Sequence, residues 1–369
     1  MTRWIVVLLA LALPGPVTEP PARKLVPATM AMKTPPVHVS AAFELPDGRV
    51  LVSDAKTPLV LLLDPSSGDA KTLGSVGAGP DQYVQPGGLY LAASGGALLL
   101  DRAQLRITEI STAGAFARTY SIAIKGVTGS SDADYDLQRI DNRGFSYFSE
   151  RGFATTAGVS RPLVPLIRFD PVKQQKEKIG ELRMGETTTV VEGNMSWSKT
   201  VIGSPADGFG VAPDGRVAIV RGEPYRVDWI ATDGKITRGP EIAFDPVPMT
   251  EADRAASKAT MGRGGASVSA TGGGAGGAAA EPEVKFAATK APFSTLDIIV
   301  SPDAHVWVQR SRAATSTVVT YDVFDSRGQR VDRVELPDGS RVVGFGAGTI
   351  YVRETRANAP LAFKKYKVR

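Results

Sequence analysis

One phrase, repeated about six times at intervals of tens of residues, leaves this chain very few folds to choose from. A tight turn is followed by a run of β-formers that ends on a charged residue. The first copy reads Asp47-Gly48-Arg49-Val50-Leu51-Val52-Ser53-Asp54, and a later one reads Asp214-Gly215-Arg216-Val217-Ala218-Ile219-Val220-Arg221. Looser copies run from Gly95 to Asp101, Arg143 to Glu150, Asp303 to Arg310 and Gly348 to Glu354. A turn-plus-strand unit recurring at this spacing is the signature of a radial repeat, in which each unit buries its faces only against its neighbours.

A second phrase follows the first. Ile110-Ser111-Thr112-Ala113-Gly114, Ile230-Ala231-Thr232-Asp233-Gly234 and Phe324-Asp325-Ser326-Arg327-Gly328 each read as strand, turn, strand; Asp64-Pro65 and Asp170-Pro171 open sister forms. Glycine suits such turns because it takes positive φ at no steric cost. Alternation along Val50, Val52 and Val217, Ile219 gives each strand one face toward the next unit. Joined, the two phrases make four strands. The expected architecture is an all-β, six-bladed β-propeller of four-stranded antiparallel blades. The blades fall at about residues 41–77, 86–122, 137–183, 205–242, 293–336 and 338 to the end, and an N-terminal strand from around Leu25 to Met32 completes the sixth and closes the ring.

Two stretches break the rhythm, 184–204 and 245–292. Within the second, Gly262 to Ala280 is almost pure Gly, Ala, Ser and Thr. Such a run cannot bury enough apolar surface to offset its ordering entropy, so a disordered Gly/Ala-rich insertion is expected at about residues 250–288. Thr250 to Thr260 reads as a short helix with Thr250 as N-cap and Glu251 and Asp253 in its first turn.

The N-terminus reads as an export signal over residues 1–22. Arg3 precedes the apolar run Trp4–Leu13, which is too short to span a bilayer, and Pro14-Gly15-Pro16 ends it. Cleavage is expected near Ala22, and an uncleaved segment would act as a tether. The expectation is a periplasmic or secreted protein occupying residues 23–369, without a stable membrane span and as a single copy. The chain has no cysteine, which excludes disulfides, thiolate metal sites and a cysteine nucleophile. Only His38 and His305 are present, too few for a histidine-built metal centre. A net charge of +5 is spread among acids without a basic run, so nucleic acid is not an expected partner.

The linker Gly77-Ala78-Gly79-Pro80-Asp81-Gln82-Tyr83, followed by Gln85-Pro86-Gly87-Gly88-Leu89, and the later Lys290-Ala291-Pro292-Phe293, resemble the blade entries of NHL-like and TolB-like six-bladed β-propellers of bacteria. That resemblance covers residues 37–369. It implies the fold more than the function, since propellers host binding modules and several enzyme classes.

Aligning the phrases places a charge at the sixth residue after each turn anchor: Asp54, Asp101, Glu150, Arg221, Arg310 and Glu354. Equivalent positions fall on one ring, so these six are the candidate ligand-binding residues at the channel mouth. They read equally as turn caps, because Asp there bonds loop amides, and Arg221 and Arg310 as partners of neighbouring carboxylates. The expected role is a non-catalytic binding or interaction module, with no catalytic residue assigned, whose partner is a small polar ligand or another envelope protein. The alternative implied by the resemblance is a calcium-dependent lactonase or hydrolase, with Ca²⁺ as its cofactor. The Glu, Asn and Asp ligand set of those enzymes is poorly matched, as the chain has three Asn in all.

Overall fold

The computed structural model describes residues 20–124, 139–149, 157–192, 195–261, 283–356 and 359–368. Glu150, residues 1–19 of the expected 1–22 export signal and the Gly/Ala-rich residues 262–282 lie outside them.

Each copy of the strand phrase folds the same way. The turn anchors Gly48, Gly95, Gly144, Gly215 and Gly348 all have φ between +63° and +87°. In the fifth copy Ala304 takes φ +61°, so an alanine accepts the conformation the repeat demands. The Asp before the turn closes it: Asp47 accepts from Arg49 N at 3.1 Å, Asp141 from Arg143 N at 2.9 Å and Asp214 from Arg216 N at 3.1 Å. An Asx turn of this kind substitutes a side-chain acceptor for a backbone one.

Strands alternate with these turns to give antiparallel meanders. The first comprises Ala41–Glu44, Val50–Asp54, Leu59–Leu63 and Ala70–Thr72; the second, Pro86–Leu91, Ala97–Asp101, Arg106–Ile110 and Phe116–Ser121. The third comprises Arg139–Ile140, Ser146–Ser149, Leu163–Asp170 and Gln175–Arg183; the fourth, Gly208–Val211, Val217–Gly222, Tyr225–Ile230 and Ile236–Arg238. The fifth comprises Phe293–Val300, Val306–Arg310, Val318–Phe324 and Arg330–Pro337. The last has Ser340–Gly346, Thr349–Glu354 and Ala362–Lys367 from the end of the chain, and Val26–Ala28 from its beginning, paired Val26↔Lys367.

The N-terminal segment reaches further than that one strand. Ala22–Lys24 adds parallel to Arg330–Pro337 at the outer edge of the fifth meander, a pairing the sequence did not announce. Arg23 forks onto Asp332 at 3.0 and 2.5 Å and also donates to the Val368 carbonyl. The innermost strands of the first and last meanders pair with each other in parallel, Ala42↔Gly344 and Phe43↔Phe345, which joins both meanders into one eight-stranded sheet. Gly344 is required there, because a Cβ would run into the Ala42 carbonyl oxygen.

The core lies between meanders. Leu51 and Leu62 of the first pack on Leu99 and Ile110 of the second, whose Leu100 and Ile107 pack on Ile140 of the third. Leu166 and Leu182 meet Phe209 and Ile219, and Val220 and Val227 meet Val306 and Phe324. Trp307 and Tyr321 meet Ile350 and Val352, and Val343 and Tyr351 return to Val50 and Val52 of the first meander. Burying such a side chain contributes about 1.5–3 kcal/mol, and no meander could do it alone. The chain is thus nearly all β, and its arrangement is consistent with a β-propeller.

The two long insertions carry structure of their own. Thr187–Glu192 and Met195–Thr200 form a hairpin with Gly158–Ser160 at its edge. Glu251–Met261 is the one helix among the described residues. Its cap is reciprocal: Asp253 N donates to Thr250 Oγ1 at 3.3 Å and Thr250 N donates to Asp253 Oδ2 at 3.0 Å. The helix falls inside the span where disorder was expected; a capped turn with Asp253 held by Lys290 at 2.6 Å supplies what the glycine run lacks. No helix among the described residues is long and apolar enough to cross a membrane.

Candidate functional site

The aligned charged residues occupy equivalent places, and there they hold the fold's own groups. Asp54 is buried and accepts from Lys56 N at 2.8 Å and Thr57 N at 3.0 Å, capping the turn that follows its strand. Asp101, also buried, accepts from Val84 N at 2.8 Å and Gln85 N at 3.0 Å and so ties down the entry to its own meander. Arg221 bridges Asp207 at 2.7 Å and Asp228 at 3.0 Å. Arg310 lies 3.6 Å from Asp322 and over the Phe244 ring. Glu354 is buried and takes bonds from Tyr366 Oη at 2.6 Å and Lys364 Nζ at 2.8 Å. Glu150 lies outside the described residues. None of the five described members lines the central cavity. Turn capping and local charge pairing are what their hydrogen bonds follow. Tyr366, for its part, is held protonated, since burial and the Glu354 carboxylate push its hydroxyl far up.

The central cavity has a volume of about 400 Å³ and is lined from the first strand of every meander. Four arginines reach it: Arg102, Arg139, Arg341 and Arg353. Among the described residues, Asp297 is the one carboxylate in its lining. Arg139 sits on the short first strand of the third meander and is bonded by Tyr90; burial, with Arg102 and Arg341 close by, holds its guanidinium below the ordinary value. Arg353 is drawn down for the same two reasons, burial first and Arg341 second. Arg341 is the one that meets the acid, with Nη2 3.1 Å from Asp297 and 2.6 Å from the Leu296 carbonyl. Burial pushes the Asp297 carboxyl up, and Arg341 only partly reverses this.

Among the described residues, two details show how closely these charges are crowded. Arg341 and Arg353 are directly opposite one another across antiparallel strands, an arrangement of like charges that destabilises a sheet. Arg102 Nε is buried and has no hydrogen-bond partner. Gly87 leaves the room that Arg102 fills, since a Cβ there would come within 3.2 Å of Nε. Guanidiniums gathered in a recess, with a fork geometry matched to carboxylate and phosphate, are a chemistry for anions. Sequence reasoning passed over all four, because none stands at the repeat position it was aligning.

Among the described residues, no group of three or more His, Asp or Glu side chains is placed to hold a metal ion. Trp229 and Trp307, on blade strands, are both core residues, 2% and 3% exposed.

No protein-family model matches the chain, and no curated protein matches it. Solved structures do match along most of its length. A member of the DUF4221 family from Bacteroides vulgatus is 10% identical, covering 93% of this chain and 98% of its own, with a TM-score of 0.48. A gluconolactonase from Xanthomonas campestris is 12% identical over 94% and 98%, at 0.43. Virginiamycin B lyase from Staphylococcus aureus is 11% identical over 92% and 87%, at 0.37. Likenesses at this level assign no activity, and the reading below rests on the chain's own residues.

Proposed function

We propose that this chain is an exported six-bladed β-propeller whose central cavity binds an anionic small molecule. The cycle of packing from the first meander round to the last supports the six-bladed ring, and Val26–Ala28, closing the last meander, supports the N-terminal clasp. The apolar Trp4–Leu13 run supports export. What carries the binding reading is a single observation: four guanidiniums share one recess with one carboxylate. Gathering like charges in a partly buried space costs folding free energy, and an incoming anion recovers it.

The same charge argues against a calcium-centred hydrolase. Such a site asks for clustered carboxylates, and here a divalent cation would meet four positive groups instead. The neighbouring Asp207–Arg221–Asp228–Arg226 cluster is closed by its own ion pairs.

The test is calorimetric titration with inorganic phosphate, citrate and glucuronate in a low-salt amine buffer, on the natural chain and on Arg341→Gln. Binding of one or more of these anions, weakening with salt and at least tenfold weaker in the variant, is the expected result. Absence of binding by all three at tens of millimolar overturns the reading. A calcium-dependent rise in melting temperature of chelated protein would instead reopen the hydrolase.

A further inference from the structure

A second cavity of about 750 Å³ lies against the first. Its walls are of another kind. The buried Trp307, Leu45, Ile350 and Val323 back it, and its three acids are already engaged among the described residues, Glu44 by Lys365, Asp303 by His305 and Asp332 by Arg23, the one arginine in its lining. The two cavities share four lining residues, Phe43, Leu91, Pro302 and Phe345. The inner strands run from one to the other in a common direction. Ala41 and Ala42 line the basic cavity, Phe43 lines both, and Glu44 to Pro46 line the second. The last meander repeats the order, with Arg341 to Gly344 on the basic side, Phe345 on both, and Gly346 to Ile350 beyond. In the fifth, Leu296 to Val300 give way through Pro302 to Asp303 and His305. The two cavities therefore adjoin across a collar of four shared apolar residues, the first central and basic, the second lined from the first, second, fifth and last meanders.

We infer that the ligand is a single-chain amphipathic anion, its charged head among Arg102, Arg139, Arg341 and Arg353 and its apolar tail through the collar along Phe345. This rests on the anion-binding reading and adds the tail. A compact anion would fill only the basic half, whereas a chain that crosses the collar removes apolar surface on both sides from water. Phe345, backed by the buried Trp307 with ring centroids 5.7 Å apart, is the collar surface the tail would meet first.

The experiment is a titration series of inorganic, butyl, hexyl and octyl phosphate, each alkyl phosphate kept below its aggregation threshold. Affinity is expected to rise with chain length by up to roughly fourfold per methylene buried, and by at least tenfold from butyl to octyl. Arg102→Gln should weaken every member by the same factor and leave the chain-length slope intact. Leu91→Trp, which narrows the collar, should flatten the slope, each alkyl phosphate being compared with inorganic phosphate on the same variant. A flat slope in the natural chain overturns the inference while the anion reading stands. A slope that survives Leu91→Trp in a folded protein, shown by an unchanged circular dichroism spectrum, overturns it too, because the tail then lies elsewhere. Failure of every member, inorganic phosphate included, overturns the reading beneath it.

Discussion

Replacing Arg102 by Met should make the free protein more stable and the ligand-bound protein no more so. Arg102 Nε is buried without a partner, and such a group costs about 1–3 kcal/mol. Its charge also faces Arg139 and Arg341 within the same recess. Two like charges about 8 Å apart at an effective dielectric of 20 repel by about 2 kcal/mol, a figure that solvent at the cavity opening and added salt both reduce. Met keeps the apolar stem beside Gly87 and discards the charge, so little packing is lost. The net expectation is a gain of about 1–2 kcal/mol in the absence of anion, taking the lower half of the desolvation range and discounting the repulsion heavily. The assay is equilibrium urea unfolding at low salt, with and without phosphate. Phosphate at a hundredfold its dissociation constant should add about 2.7 kcal/mol to the natural chain and far less to the variant. Opposite signs for stability and protection are what a functional charge produces. A lowered midpoint for Arg102→Met in the free protein, or full protection of the variant by phosphate, would refute the reasoning and make Arg102 a structural residue.

Asp101→Asn removes one of two acceptors that hold Val84, Gln85 and Gln104 amides and sets an NH₂ among N–H donors. Its urea midpoint should fall by the equivalent of about 1–3 kcal/mol, with phosphate affinity unchanged by titration, which separates the aligned ring from the cavity. Gly344→Ala drives a methyl into the Ala42 carbonyl at the junction of the first and last meanders. The cost of forced overpacking is about 1–3 kcal/mol, and hydrogen exchange should quicken first in Ala41–Glu44 and Ser340–Gly346. Glu44 is half-buried, which opposes its ionisation, yet bonds from Lys365 at 2.8 Å, Tyr351 and Ala347 N hold its carboxyl below the ordinary value. The folded state thus binds this proton more weakly than the unfolded chain does. The stability it contributes is complete above about pH 4.3 and is lost as pH falls through the lower folded value. Unfolding free energies measured from pH 6 to pH 2.5 should therefore fall more steeply for the natural chain than for Glu44→Gln, the two curves converging in acid.

Much of the fold was legible in the chain because the repeat is enforced by backbone conformation. Only residues that tolerate positive φ close the inner turns, so the turn anchors stand out as Gly48, Gly95, Gly144, Gly215 and Gly348, and β-formers must follow them. Ala304 hid the fifth copy only partly, since Val306, Trp307 and Val308 still spell the strand. Pairings across the ends of the chain were harder. Ala22–Lys24 is three exposed residues without a hydrophobic pattern, and its place beside Arg330–Pro337 comes from Arg23 finding Asp332 and from backbone pairing, neither of which leaves a periodicity to read.

The site was hidden for a sharper reason. Alignment of repeats finds positions that every unit needs, and a position every unit needs is filled by whatever secures the unit: hence Asp54 and Asp101 on loop amides and Glu354 on Tyr366. The cavity arginines break the symmetry. Arg102 stands one residue after an aligned acid and Arg353 one residue before another, so the charges beside the ring, rather than those in it, reach the cavity. The register of the last hairpin shows how little of this is written locally. Counting outward from the turn pairs Gly346 with Thr349, Phe345 with Ile350 and Gly344 with Tyr351. An unbroken ladder would then set Arg341 opposite Glu354, an ordinary cross-strand ion pair. A bulge at Val343 moves the register by one, so Arg341 faces Arg353 and Glu354 turns to Tyr366 and Lys364. The bulge lies where Gly344 meets Ala42 of the first meander, a contact between opposite ends of the chain. A feature that closes the fold thus also replaces a neutral cross-strand pair by two facing guanidiniums at the cavity wall.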